Sequence, residues 1–127
     1  MLMPRLFLAI AALFGGLSVA GGAFATHALR SRLPSRALEI FETGARYQMY
    51  HALALLLLVL LMSRANTPTP LMVTAGWAFI VGVLLFSGSL YALSLSGIKW
   101  FGAIAPLGGA AFLVGWGCIA IAALNWE

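Results

Sequence analysis

The stretch FETGARYQMYHALALLLLVLLMSR, residues 41 to 64, sets Glu42, Arg46, Tyr47, Gln48, Tyr50 and His51 directly against an unbroken apolar run. With Glu39 one turn earlier and His27 in a preceding segment, these side chains have the chain's greatest capacity for proton transfer, ion pairing or ligand binding. Glu42 precedes Arg46 by four residues, the favoured order for a helical ion pair, and Arg36 and Glu39 form a second possible pair at three. Ser87, Tyr91 and Ser94 share one helical face and make a secondary polar stripe able to meet Arg46 or His51 across a bundle. His27 and His51 are the only histidines, no HxxxH, ExxH or paired-cysteine spacing accompanies them, and Cys118 stands alone. No catalytic residue, metal site or cofactor is therefore assigned, and each histidine is read as a hydrogen-bonding residue of a helix end or interior.

The elements that must position these residues follow from composition. At 63% hydrophobic and 8% charged residues, with a mean hydropathy of +1.04, the chain has too little polar surface to cover a soluble core. It reads as an all-α integral membrane bundle of four transmembrane helices in a single domain over residues 1–127, with helices at about 5–29, 35–63, 71–95 and 106–124. The second is unusual, because its purely apolar part, Ala52 to Met62, is about half the roughly 20 residues that a span requires. To cross, it must recruit the turns before Ala52, which carries the polar cluster to membrane depth. Its first half is amphipathic: Arg36, Glu39, Thr43, Arg46 and Tyr50 fall on one stripe, with Glu42 and Tyr47 at the edges.

Helix ends are marked by Pro34 with Ser35 as the expected N-cap, by Arg64-Ala-Asn-Thr-Pro-Thr-Pro as a turn before Leu71, and by Pro106 opening the fourth helix. Only Gly44 interrupts helix-forming residues between Ser35 and Met62. The first helix, with Gly15, Gly16, Gly21 and the four-residue series Ser18, Gly22 and Thr26, and the fourth, with Gly108, Gly109, Ala111, Gly115 and Gly117, are expected to pack closely against neighbours in this chain or another. Trp100 and Trp126 fall at span ends, as in an aromatic belt. An alanine-containing AFA at residues 23 to 25 imitates a signal-peptide cleavage site, but the apolar run continues to Leu29, so an uncleaved first helix is expected.

Four spans put both termini on one side. Arg30, Arg32, Arg36 and Lys99, with Arg46 nearby, outnumber Arg5 and Arg64 opposite, so the positive-inside rule places both termini outside, in the periplasm for a bacterial inner-membrane protein. The net charge of +4 fits topology and anionic membrane lipid as a partner, and not nucleic acid.

For the polar cluster three roles are open. Glu42 neutralises and anchors Arg46 near hydrocarbon, where an unpaired charge is costly; or Glu39, Glu42 and His51 relay protons or ions; or the face binds a ligand or lipid headgroup. Taken together, "GGAFATHALRSRL" (21–33), "FETGARYQMYHALALL" (41–56), "FSGSLYALSLSG" (86–97) and "GAIAPLGGAAFLVGW" (102–116) resemble the family called domain of unknown function 423. The resemblance implies four transmembrane helices and an uncleaved first helix, and it implies no activity. Carried over by position, the family's recurring polar residues are His27, Glu42, Arg46, Tyr47, Gln48 and His51. Where the family pattern has Gly-Ala before the first histidine, this chain has Ala25-Thr26, which keeps the positions small and adds a hydroxyl. The expected function is a non-catalytic structural or accessory module of a homo-oligomer or larger membrane complex. A small oligomeric transporter or channel is the alternative, and a lipid-modifying enzyme comes third.

Overall fold

A long helix that opens the chain, α1 (Leu2–Leu29), turns back on a second, α2 (Ser35–Arg64); α3 (Pro70–Ser96) and α4 (Ala105–Leu124) complete an antiparallel set of four. The computed structural model describes residues 2–126 and contains no strand among them. All four helices have the length and hydropathy to cross a membrane, so the all-α membrane bundle expected from composition is the fold. A 3-10 turn over Lys99–Ala103 joins α3 to α4, and both α1 and α3 contain a π-helical turn, at Ala25–Leu29 and Val83–Ser87.

The helix boundaries follow local chemistry. α2 begins after Pro34, whose extended ψ of 153° turns the chain into the helix and whose carbonyl accepts from Leu38 N at 3.0 Å. Ser35 is thus the first helical residue, and no side-chain cap is present, which corrects the expected Ser35 cap. At α3 the cap lies one position earlier than Leu71 suggests. Thr69 Oγ1 accepts from Met72 N at 3.3 Å while Pro70 occupies the first turn, where its missing N–H costs nothing. α3 ends at Gly97, whose φ of +72° closes the helix with a bond from its N–H to Leu93 O at 2.8 Å. Gly44 leaves α2 unbroken.

Lipid supplies no hydrophobic force between spans, so close packing must hold them. The rings of Phe7, Phe112 and Phe79 press onto Gly76, Gly82 and Gly115, and Gly108 lies against the backbone of Phe86; a Cβ at any of these glycines would collide. Gly44 similarly receives the Tyr91 ring and the Ser87 carbonyl. The expectation for the glycines of the first and fourth helices therefore divides. Gly108 and Gly115 are close contacts, Gly15 and Gly21 make ordinary ones, and Gly16, Gly22, Gly109 and Gly117 have open space where a side chain would stand. Apolar side chains such as Leu13, Leu57, Leu84 and Leu113 project outward, as they must where the solvent is hydrocarbon.

Candidate functional site

α2 is the hub of the bundle, and its polar residues separate into two sets with opposite surroundings. The first is buried. Gln48, 6% exposed, donates from Nε2 to the Phe14 carbonyl of α1 at 2.8 Å and accepts at Oε1 from the Tyr91 hydroxyl of α3 at 2.7 Å. Ser18 donates to the Ala45 carbonyl at 2.6 Å and Ser87 to the Gly44 carbonyl at 2.7 Å. These acceptors are already bonded within α2, but a carbonyl oxygen has a second lone pair. Gly44 makes the last contact possible, because a side chain there would meet Tyr91 and the Ser87 backbone.

His51, 5% exposed, completes this set. Its ring lies flat on Phe112, with centroids 3.6 Å apart and planes at 7°. Its Nδ1 is 2.8 Å from the Tyr47 carbonyl, and its Nε2 is 3.1 Å from Trp116 Nε1. A carbonyl only accepts and an indole N–H only donates, so both bonds exist together in one form alone: the neutral ring with its proton on Nδ1. Solid-state NMR of the protein in bilayers should find a protonated Nδ1 and an unprotonated Nε2 for His51, and the reverse tautomer would contradict this geometry. Through these bonds α2 is clasped to each of the other three helices. Among the described residues no buried side-chain nitrogen or oxygen lacks a partner.

The second set faces outward at the Ser35 end of α2. Glu42 and Arg46 line a groove of about 530 Å³ with Arg36, Glu39 and Thr43, walled on the other side by Phe86 and Leu90 of α3. Arg36 and Glu39 form an exposed ion pair at 3.3 Å, and Thr43 donates to the Glu39 carbonyl at 2.8 Å. The expected Glu42–Arg46 pair is not formed. The single salt bridge among the described residues is Arg36–Glu39; Glu42 is half-buried and Arg46 exposed.

Depth follows from helix length. Counted from Arg64 as one boundary of the hydrocarbon, about 20 residues at 1.5 Å each reach back across roughly 30 Å to the neighbourhood of Gly44. On that count Glu42 and Arg46 lie on either side of the residue where a second boundary would fall.

The remaining residues singled out in the sequence are distributed between these sets or outside them. Tyr47 and Tyr50 are partly exposed and pack edge-on with centroids 5.5 Å apart. Tyr47 also covers Phe86 at 4.9 Å, between the buried seam and the groove. His27 is exposed on α1 and joins neither set. The stripe on α3 meets α2 through Ser87 and Tyr91, at Gly44 and Gln48 and not at Arg46 or His51, while Ser94 donates to Tyr91 O within its own helix at 3.0 Å. Among the described residues no three His, Cys, Asp or Glu side chains converge as metal ligands would, and Cys118 is a free, half-buried thiol. Sequence reasoning missed Trp116 as a partner of His51. A tryptophan in the middle of a span, away from the interfacial belt, was the available signal, since its N–H needs an acceptor there.

Comparison with known proteins agrees with this architecture. A family model described as "Protein of unknown function (DUF423)" matches residues 21–109, a segment that contains both sets apart from Phe14, Ser18, Phe112 and Trp116. The chain is 40% identical over 122 residues to the UPF0382 membrane protein YwdK of Bacillus subtilis, covering 96% of this chain and 98% of that one. It is 38% identical over 122 residues to a UPF0382 membrane protein of Staphylococcus epidermidis, with the same coverage. A UPF0382 membrane protein of Haemophilus influenzae is 41% identical over 114 residues, 90% of each chain. No solved structure matches. With near full-length relatives that are themselves named membrane proteins, and a family model covering most of the bundle, the chain belongs to the DUF423 family.

Proposed function

We propose that this protein is a non-catalytic membrane module, working as one copy of a homo-oligomer or as an accessory subunit of a larger membrane complex. The observation that carries this is the closed interior: the buried polar side chains of α2 are spent on clasping α1, α3 and α4. A reacting group needs an unengaged nucleophile or base beside a space for substrate, and the clasp offers neither. Outward-facing Gly16, Gly22, Gly109 and Gly117 supply close-approach surface for another helix. The mass of the particle purified in mild detergent tests this proposal. A multimer, or a stoichiometric partner, is expected; a lone monomer with nothing bound would contradict it.

A second reading, an oligomeric transporter or channel, draws on the charged groove along α2. Any path it provides runs outside the single bundle and would have to be completed by a further chain. Proteoliposomes decide: flux that is identical for wild type and Glu42→Gln at every pH tried would remove Glu42 from such a path.

Insertion with both termini outside and the Arg30 to Ser35 and Gly97 to Lys99 connections in the cytoplasm follows from the excess of Arg30, Arg32, Arg36 and Lys99 over Arg5 and Arg64. Alkaline phosphatase fused after Glu127 is expected to be active, and a cytoplasm-fluorescent reporter at the same place dark. The opposite pair of results would invert the orientation.

A further inference from the structure

The groove between α2 and α3 presents one cation and one anion that have not found each other. Arg36 and Glu39 satisfy one another at 3.3 Å. Arg46 and Glu42, one helical turn apart and well placed in sequence to pair, instead line the same groove without pairing. Their turn of helix rises about 6 Å along the axis, and counting about 20 residues back from Arg64 brings it to the junction of headgroups and hydrocarbon. The opposite wall is apolar, formed by Phe86 and Leu90. A free metal ion would be opposed by Arg46, and a free anion by Glu42. A molecule that suits the whole groove carries a phosphate and an ammonium a few ångströms apart on an acyl tail.

We propose that this groove binds a zwitterionic phospholipid with a primary amine, such as phosphatidylethanolamine, Arg46 holding the phosphate and Glu42 the ammonium. The guanidinium offers paired N–H donors to phosphate oxygens. The carboxylate accepts from an ammonium that still bears hydrogens, which a trimethylated choline cannot provide. Phe86 and Leu90 flank the headgroup, and the acyl chain leaves Arg46 past Phe86 toward the Arg64 end of α2. This site is separate from the oligomer proposal, because a monomer contains all of it.

Native mass spectrometry of the full chain, titrated with phosphatidylethanolamine, phosphatidylcholine or phosphatidylglycerol of identical acyl chains, tests the assignment. Wild type is expected to prefer phosphatidylethanolamine over phosphatidylcholine by roughly tenfold, the factor for one charge-assisted hydrogen bond. Glu42→Gln should abolish that preference while keeping phosphatidylglycerol binding, and Arg46→Gln should weaken all three. Equal binding of the ethanolamine and choline lipids by wild type would overturn the proposal, and so would tighter binding of phosphatidylglycerol, which would mark a basic patch alone. The headgroup series on wild type needs no substitution, so it decides even where a variant fails to fold.

Discussion

Gly108→Ala is expected to destabilise the bundle by roughly 1–3 kcal/mol, the range for overpacking a tight contact, whereas Gly109→Ala next to it should be close to neutral. The new methyl at residue 108 would meet the backbone of Phe86. Backbone cannot rotate away, so α3 and α4 must separate along their seam and loosen the neighbouring contacts of Phe112 on Gly82 and Phe79 on Gly115. At Gly109 nothing lies within 4 Å of the added carbon. Thermal unfolding in detergent, at a dilution where only the single chain is present, checks the pair. Equal midpoints for the two variants would mean that α3 and α4 do not approach as closely as they do here.

Gln48→Leu is expected to be the other costly change, for a reason of polarity and not of volume. It strands the Tyr91 hydroxyl and removes the donor to the Phe14 carbonyl; a buried polar group left without its partner costs on the order of 1–3 kcal/mol. The Phe14 carbonyl keeps its bond within α1, so most of the loss should come from Tyr91. Adding Tyr91→Phe removes the stranded hydroxyl, and the double variant should be more stable than Gln48→Leu alone, a non-additivity that two unconnected sites would not show. A membrane tempers the magnitude, since measured interhelical bonds there average about 0.6 kcal/mol.

The four spans were legible in the sequence because hydropathy over a bilayer's width is a one-dimensional signal. The second helix's short apolar run also marked out the segment that carries the polar cluster. Which of them face inward was only partly legible. Gln48 and His51 belong to a cluster that the sequence marks, but their acceptors and donors include the Phe14 carbonyl and Trp116, 34 and 65 residues away in the chain. Backbone acceptors leave no trace in a residue pattern. The Glu42–Arg46 spacing misled for a related reason: four-residue spacing brings Cβ atoms together, but whether the charged ends then meet depends on rotamers, which a residue pattern does not carry. Gly76 and Gly82 were not singled out as ring sockets, because what makes them so is a phenylalanine on another helix.

The division of α2 into a sealed interior and an open groove is tested most directly by thiol labelling in intact membranes, in a background where Cys118 is replaced by Ser. Ser18→Cys and Ser87→Cys probe the seam with little change in size, and Thr43→Cys and Arg46→Cys probe the groove. A membrane-impermeant maleimide is expected to modify residues 43 and 46 from one side of the membrane only and to leave 18 and 87 untouched until the protein is denatured. Modification of 18 and 87 in the native bundle, at rates comparable to 43, would show that water enters among α1, α2 and α3 and would contradict a closed interior.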